Sequence, residues 1–222
     1  MKGYQMFNKK EIVIDPYGNE HEVLDYTDDY VGSKFGFWLF LFTELMMFGT
    51  MFLVFSIYFY QFSDDFLHHS KSLNIFLGGT NTVILLISTY TMGLATLNLK
   101  KGELKKASFM TYITIILAIA FLIIKAFEWG AEFSHDIFPD SQTLVSMNDG
   151  SNIFFGLYFT MTGLHGFHII LGIILMLSVL YKIKSGSLHP KHYIFMKNTT
   201  LYWDFVHLIW VFVFPIFYMI GA

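Results

Sequence analysis

Several ionisable residues sit inside apolar stretches of this sequence. A bilayer core offers them no water, so each needs a partner or a purpose. Glu44 lies about ten residues into the first stretch, close to mid-bilayer at a rise of ~1.5 Å per residue. A charged carboxylate at that depth costs on the order of 3 kcal/mol on insertion scales, so it must be neutral or paired. It reads either as a proton-exchange or carbodiimide-reactive site, or as a buried interhelical hydrogen-bond donor. His165 and His168 share one face of the fourth stretch, in the run Thr162-Gly163-Leu164-His165-Gly166-Phe167-His168. Histidine is the commonest metal ligand, so one reading is metal or haem ligation. The other is hydrogen bonding to Glu44 or to neighbouring helices. The chain has no Cys, no HExxH run and no second deep carboxylate beside these histidines, and only His207 could face them from another span. The expectation is therefore no metal site.

Asp204 and His207 lie three residues apart in the fifth stretch, in Tyr202-Trp203-Asp204-Phe205-Val206-His207-Leu208-Ile209-Trp210. They can share a proton in a relay, or form a structural pair that locks this span to its neighbour. Lys125 and Glu128, also three apart, can pair near the end of the third stretch. Asn81 and Thr82 in the second are candidates for helix–helix hydrogen bonds.

These residues must be positioned by membrane helices. A spanning helix needs roughly 20 apolar residues. Five segments qualify, at about Ser33–Gln61, Leu73–Leu99, Ala107–Trp129, Ser151–Tyr181 and Asn198–Ile220. The fold class expected is all-α: an integral membrane bundle of five transmembrane helices (residues 31–222), preceded by an acidic polar tail (residues 1–30). The tail carries Glu11, Asp15, Glu20, Glu22, Asp25, Asp28 and Asp29 and does not read as a cleavable signal peptide. Lysines gather in two links, Lys100, Lys101, Lys105 and Lys106 in one and Lys182, Lys184, Lys191 and Lys197 in the other. Lys71 stands among Asp64, Asp65, Asp136, Asp140 and Asp149 in the opposite links. The positive-inside rule then puts the N-terminus in the cytoplasm and the C-terminus outside. Trp38 and Trp203 read as lipid or interface residues, and Tyr58, Phe59, Tyr60 and Tyr202 as members of aromatic belts. All 14 basic residues are Lys and the net charge is −3, which gives no sign of a nucleic-acid partner.

Four of these runs, in order, resemble subunit III of the haem–copper cytochrome oxidases. Gly163-Leu164-His165-Gly166-Phe167-His168 is similar to that family's G-F-H-G-x-H signature. Trp38-Leu39-Phe40-Leu41-Phe42-Thr43-Glu44-Leu45-Met46-Met47-Phe48 resembles its first shared span, F-x-x-S-E-x-x-F-F, with Thr43 for Ser. Lys125-Ala126-Phe127-Glu128-Trp129 resembles its K-x-x-E-Y/W segment. The run from Tyr202 to Trp210 resembles its Y-W-H-F-V-D-x-x-W, with the acid and the histidine exchanged. The resemblance covers about Gly32 to Gly221, and its five spans match the bacterial form.

That resemblance implies a non-catalytic subunit of a proton-pumping respiratory terminal oxidase in the bacterial plasma membrane. Such a subunit packs against catalytic subunit I, with subunit II also in the complex, binds phospholipid and supports proton uptake. Haem and copper are expected in the partner subunits and not in this chain. Cytochrome c is the donor expected first, with a quinol oxidase or a nitric oxide reductase-associated relative as the alternative. A membrane cytochrome b and a proton-coupled transporter are the rivals outside the family.

Overall fold

The computed structural model describes residues 11–14, 20–23, 30–134, 136–138, 141–186, 188 and 193–221. Asp15, Asp25, Asp28 and Asp29 of the tail, and Asp140 and Lys191 of the links, lie outside the described residues. Within the tail, β1 (Glu11–Ile14) pairs antiparallel with β2 (Glu20–Val23), with Glu11 opposite Val23 and Ile14 opposite Glu20. The polar composition gives no sign of such an element.

Among the described residues seven helices follow: α1 (Tyr30–Gln61), α2 (Ser63–Ser72), α3 (Ile75–Lys100), α4 (Leu104–Ser134), α5 (Gln142–Ser146), α6 (Asp149–Lys184) and α7 (Ile194–Tyr218). Five of them, α1, α3, α4, α6 and α7, are long and apolar enough to cross a membrane. Residues 1–39 and 40–222 form two compact units. The second unit holds the packed part of the bundle.

The spans pack through seams that recur every seven residues. Ala107, Thr111, Thr114, Ala118, Phe121, Lys125 and Glu128 are buried on α4, and Met196, Thr199, Trp203, Val206, Trp210, Val213 and Phe217 on α7. Steps alternating between three and four residues keep one stripe facing the neighbour, as in left-handed bundles. The seams are rich in Ala, Thr, Ser and Gly, which let backbones approach without help from a water-driven hydrophobic effect. Gly172 is one place where this is required: a Cβ there would lie 2.5 Å from Cζ3 of Trp203. On α1 the buried stripe is Leu41, Phe48 and Phe55, again seven apart. It reaches α6 and α7 through aromatic contacts, Phe48 to His168 at 5.5 Å and Phe55 to Phe217 at 5.1 Å between ring centroids. Large apolar side chains such as Phe76, Phe127 and Tyr181 face outward, which costs little when the surroundings are lipid.

The link between the first two spans, expected as polar chain, contains the helix α2. Asp64 and Asp65 in its first turn and His69 and Lys71 in its last complement the helix dipole. Phe66, fully buried, anchors it against Phe55 and Phe154. The Ser70 hydroxyl donates to the Phe217 carbonyl (2.8 Å) and accepts the Gly221 N–H (3.2 Å). Asp65 accepts from the Asn148 amide (2.7 Å), and His69 bonds the Ser151 hydroxyl (2.6 Å).

Burial first, and then the neighbouring His68, hold the His69 imidazole below its ordinary 6.5, against the opposing pull of Asp65. A histidine with a depressed folded-state pKa stabilises while neutral, so its contribution is complete above 6.5 and is lost as pH falls below that value. Amides of α2 and of the first turn of α6 should therefore lose hydrogen-exchange protection between about pH 7.5 and 5.5, beyond the intrinsic rate change. A His69→Gln variant should show a flatter response. Equal protection at both pH values would show that His69 does not couple to this docking.

Candidate functional site

Many of the polar residues inside the spans fall into three bonded groups, while among the described residues Asn81, Thr89, Trp129 and His165 keep buried polar atoms without a hydrogen-bond partner. The first group joins α1 to α6. Glu44 Oε2 lies 2.9 Å from His168 Nε2, and His168 Nδ1 lies 2.8 Å from the Leu164 carbonyl. A carbonyl only accepts, so Nδ1 carries a hydrogen. Nε2 then either donates to a carboxylate or accepts from a carboxylic acid. Glu44 and His168 together are net neutral in both forms, which removes most of the cost of holding an acid at this depth. Tyr202 donates its hydroxyl to the His168 carbonyl at 3.1 Å. The pair can exchange one proton, and Glu44 keeps a partly exposed side chain through which to do so.

The second group joins α4, α6 and α7. The Lys125 ammonium donates to Glu128 Oε2 (3.2 Å), the Tyr158 hydroxyl (3.0 Å) and the Tyr218 hydroxyl (2.6 Å). Tyr158 and Tyr218 in turn donate to Glu128 Oε1. Both charges are nearly inaccessible, at 5% and 4% exposure, and every donor on the lysine is used. Sequence reasoning found the Lys–Glu pair but not the tyrosines. Tyr158 stands one buried seam step before Thr162 on α6, and Tyr218 closes α7. A depth match between those two positions and Glu128 was the available signal.

The third group joins α3 to α7. His207 Nδ1 donates to the Trp203 carbonyl, and its Nε2 lies 3.0 Å from the Ser88 hydroxyl, which also accepts the Trp203 indole N–H at 3.1 Å. Nearer the lysine-rich end, Thr91 bonds Thr114 (2.8 Å) and Thr96 bonds Thr200 (2.7 Å).

Four expectations need correction. Asp204 does not join His207. It lies on the exposed face of α7 and makes no hydrogen bond or ion pair among the described residues, while His207 is 4% exposed and turned to α3. Residues three apart differ by about 60° around a helix axis, enough for one to face the bundle and the other away. Trp203 is fully buried against Gly172, not at a lipid interface, and Tyr202 is buried beside it. Trp38 is 54% exposed. Asn81, expected to bridge helices, is fully buried with neither its amide nitrogen nor its oxygen bonded among the described residues. His165 is likewise fully buried with both ring nitrogens unbonded, lying against Phe121 and Trp210. The bonds foreseen for the histidine pair are thus made by His168 alone. Among the described residues no three His, Asp or Glu side chains gather closely enough to hold a metal ion.

The separation of Asp204 from His207 has a measurable consequence. His207→Ala removes the bond to Ser88, whose hydroxyl keeps the Leu85 carbonyl and the Trp203 indole as partners, and leaves a cavity in a dry seam, which should cost about 1–3 kcal/mol. Asp204→Asn should leave the chain's own stability almost unchanged. The double variant should equal the sum of the singles within about 0.5 kcal/mol. Thermal unfolding of the purified complex checks this, and a larger coupling energy would place the two residues in one unit.

The family model of cytochrome c oxidase subunit III matches residues 21–222. The chain is 28% identical to the cytochrome bo(3) ubiquinol oxidase subunit 3 of Buchnera aphidicola subsp. Schizaphis graminum over 188 residues, 85% of this chain and 94% of that protein. It is 28% identical to the quinol oxidase subunit 3 of Bacillus spizizenii over 92% of this chain and 96% of that one. It is 31% identical to the probable quinol oxidase subunit 3 of Staphylococcus epidermidis strain RP62A over 85% and 89%. Five membrane-crossing helices, a carboxylate–histidine pair joining α1 to α6 and a match over nearly the whole chain lead to one conclusion: the chain belongs to the cytochrome c oxidase subunit III family.

Proposed function

We propose that this protein is the non-catalytic subunit III of a proton-pumping haem–copper terminal oxidase that draws its electrons from a quinol. The observation that carries the role is the Glu44–His168 pair, a net-neutral acid held between two membrane helices with a partly exposed edge. Such a pair can pass a proton between its two members at the flank of a larger complex without placing a net charge in the bilayer. The quinol assignment is supported by the names of the three relatives, each a quinol oxidase subunit 3. It replaces cytochrome c as the preferred donor. The haems and copper of the reaction belong to the partner subunits in this reading. This chain packs against subunit I beside subunit II, retains phospholipid, and resides in a bacterial plasma membrane with its N-terminus in the cytoplasm. The lysines at the α3–α4 turn and at the end of α6 support that orientation.

The test is purification in mild detergent through a tag on this chain. Haem-containing partners should copurify, and the complex should consume oxygen with a short-chain quinol and not with reduced cytochrome c. Oxygen uptake with cytochrome c alone would reassign the donor, and copurification without haem would remove the oxidase role. Glu44 should react with a hydrophobic carbodiimide in native membranes, and Glu44→Gln should abolish labelling of this chain. A cysteine placed at Lys105 should resist impermeant reagents added outside intact cells.

A further inference from the structure

Three polar side chains, two of them buried, converge on one indole. The Lys125 ammonium lies 5.4 Å from the Trp210 ring centroid, and the His165 ring lies 4.9 Å from it on α6. The Trp210 N–H donates to Thr82 (3.0 Å), the residue after Asn81 on α3. One turn earlier on α3, Gly78 lies against the rings of Phe214 and Tyr218, and Tyr218 holds Lys125. Asn81 therefore sits between the levels of Tyr218 and Trp210. The register of the Thr91–Thr114 bond points the same way: ten residues back along α3 from Thr91 and ten on along α4 from Thr114 bring Asn81 level with residue 124, next to Lys125.

The hydrogen-bond donors around this point are already spent. Lys125 gives all three donors to Glu128, Tyr158 and Tyr218, both tyrosine hydroxyls donate to Glu128, and the Trp210 N–H serves Thr82. Four polar atoms remain unmet, the amide nitrogen and oxygen of Asn81 and both ring nitrogens of His165, on two fully buried residues. A ligand able to satisfy them must be small, neutral, and both donor and acceptor. The lysine beside them disfavours a cation, and an apolar guest would leave the atoms unmet.

We propose that the core between α3, α4, α6 and α7 is an internal water site, in which ordered water held by Asn81 and His165 against Trp210 extends the Lys125–Glu128–Tyr158–Tyr218 cluster toward the middle of the bundle. Buried water of this kind makes about three hydrogen bonds to groups that otherwise have none. Two donors and two acceptors on each molecule match the mixed character of an amide and a neutral imidazole. Such a site belongs to the chain's own core and does not depend on which donor the oxidase uses.

The test uses the whole complex. A cryo-electron-microscopy map sharp enough to show water should place density within hydrogen-bond distance of the Asn81 amide and a His165 nitrogen. Infrared difference spectra recorded in H₂¹⁸O should contain an isotope-shifted band from confined water. Asn81→Leu combined with His165→Phe, which keeps the volume and removes the four polar atoms, should abolish both signals. Should that variant fail to assemble, the map and the isotope band of the wild-type complex decide alone. No density and no shifted band in the wild type would overturn the proposal. So would density that persists in the double variant, since that water would be held by other groups.

Discussion

Lys125→Met should destabilise the protein by about 3–5 kcal/mol, the largest loss expected from a single change in this chain. The ammonium is held by three partners in a site closed to solvent. Removing it leaves the Glu128 carboxylate buried without its counter-charge, and the two tyrosine donors cannot replace a full positive charge. Glu128→Leu should cost a similar amount for the mirrored reason. The double variant Lys125→Met with Glu128→Leu should recover much of the loss, because it strands only two tyrosine hydroxyls, which can still reach each other at 3.4 Å. The measurement is the thermal denaturation midpoint of the complex in detergent, together with the amount of this chain retained after washing. Single variants as stable as the wild type would mean that the pair contributes nothing net. A double variant worse than both singles would mean that the charges serve another group.

The second large effect comes from packing. In Gly172→Val, the Cβ would meet Trp203 at 2.5 and 2.6 Å, well inside van der Waals contact. The indole has nowhere to go, being fully buried and tied to Ser88 through its N–H. Overpacking of this kind costs about 1–3 kcal/mol, and more where the neighbour is fixed. Three sites form a graded series. Gly163→Ala, with Trp129 at 3.2 Å, should cost less, and Gly49→Ala, with nothing within 4 Å, should cost nothing through contact. Trp203→Leu should partly rescue Gly172→Val by vacating the space. The order of the three midpoints decides the matter. Gly49→Ala as damaging as Gly172→Val would show that the contact with Trp203 does not set the order, since helix propensity favours Ala over Gly.

The five spans were legible because membrane solvation acts on length and composition, both of which a sequence displays. Several ends lie further out than hydropathy put them: α4 runs to Ser134 and α6 begins at Asp149, where the Asn148 side chain caps it. Those turns are polar, and a hydropathy reading discards them. The α2 helix was missed for the same reason, although its acidic start and basic end were visible in the residues. Within the spans, the Lys125–Glu128 pair was legible because it is local to one helix. Its tyrosines were not, since depth on one helix must be matched to depth on two others. Asp204 and His207 show the opposite error. Their spacing was local, but which way each faces depends on how α7 is rotated against α3 and α6, and spacing does not contain that rotation.

The placement of both charges of the buried pair on α4 bears on how the protein is made. A helix enters the bilayer before its neighbours have packed around it, and a lone lysine or glutamate would then face lipid by itself. Here the opposing charge is one turn away in the same segment, at 3.2 Å in the finished fold. The segment can cross as a neutral unit from the moment it becomes helical. Tyr158 and Tyr218 belong to helices synthesised later, so biogenesis needs only α4 for charge neutrality, and the tyrosines add their bonds once the bundle closes.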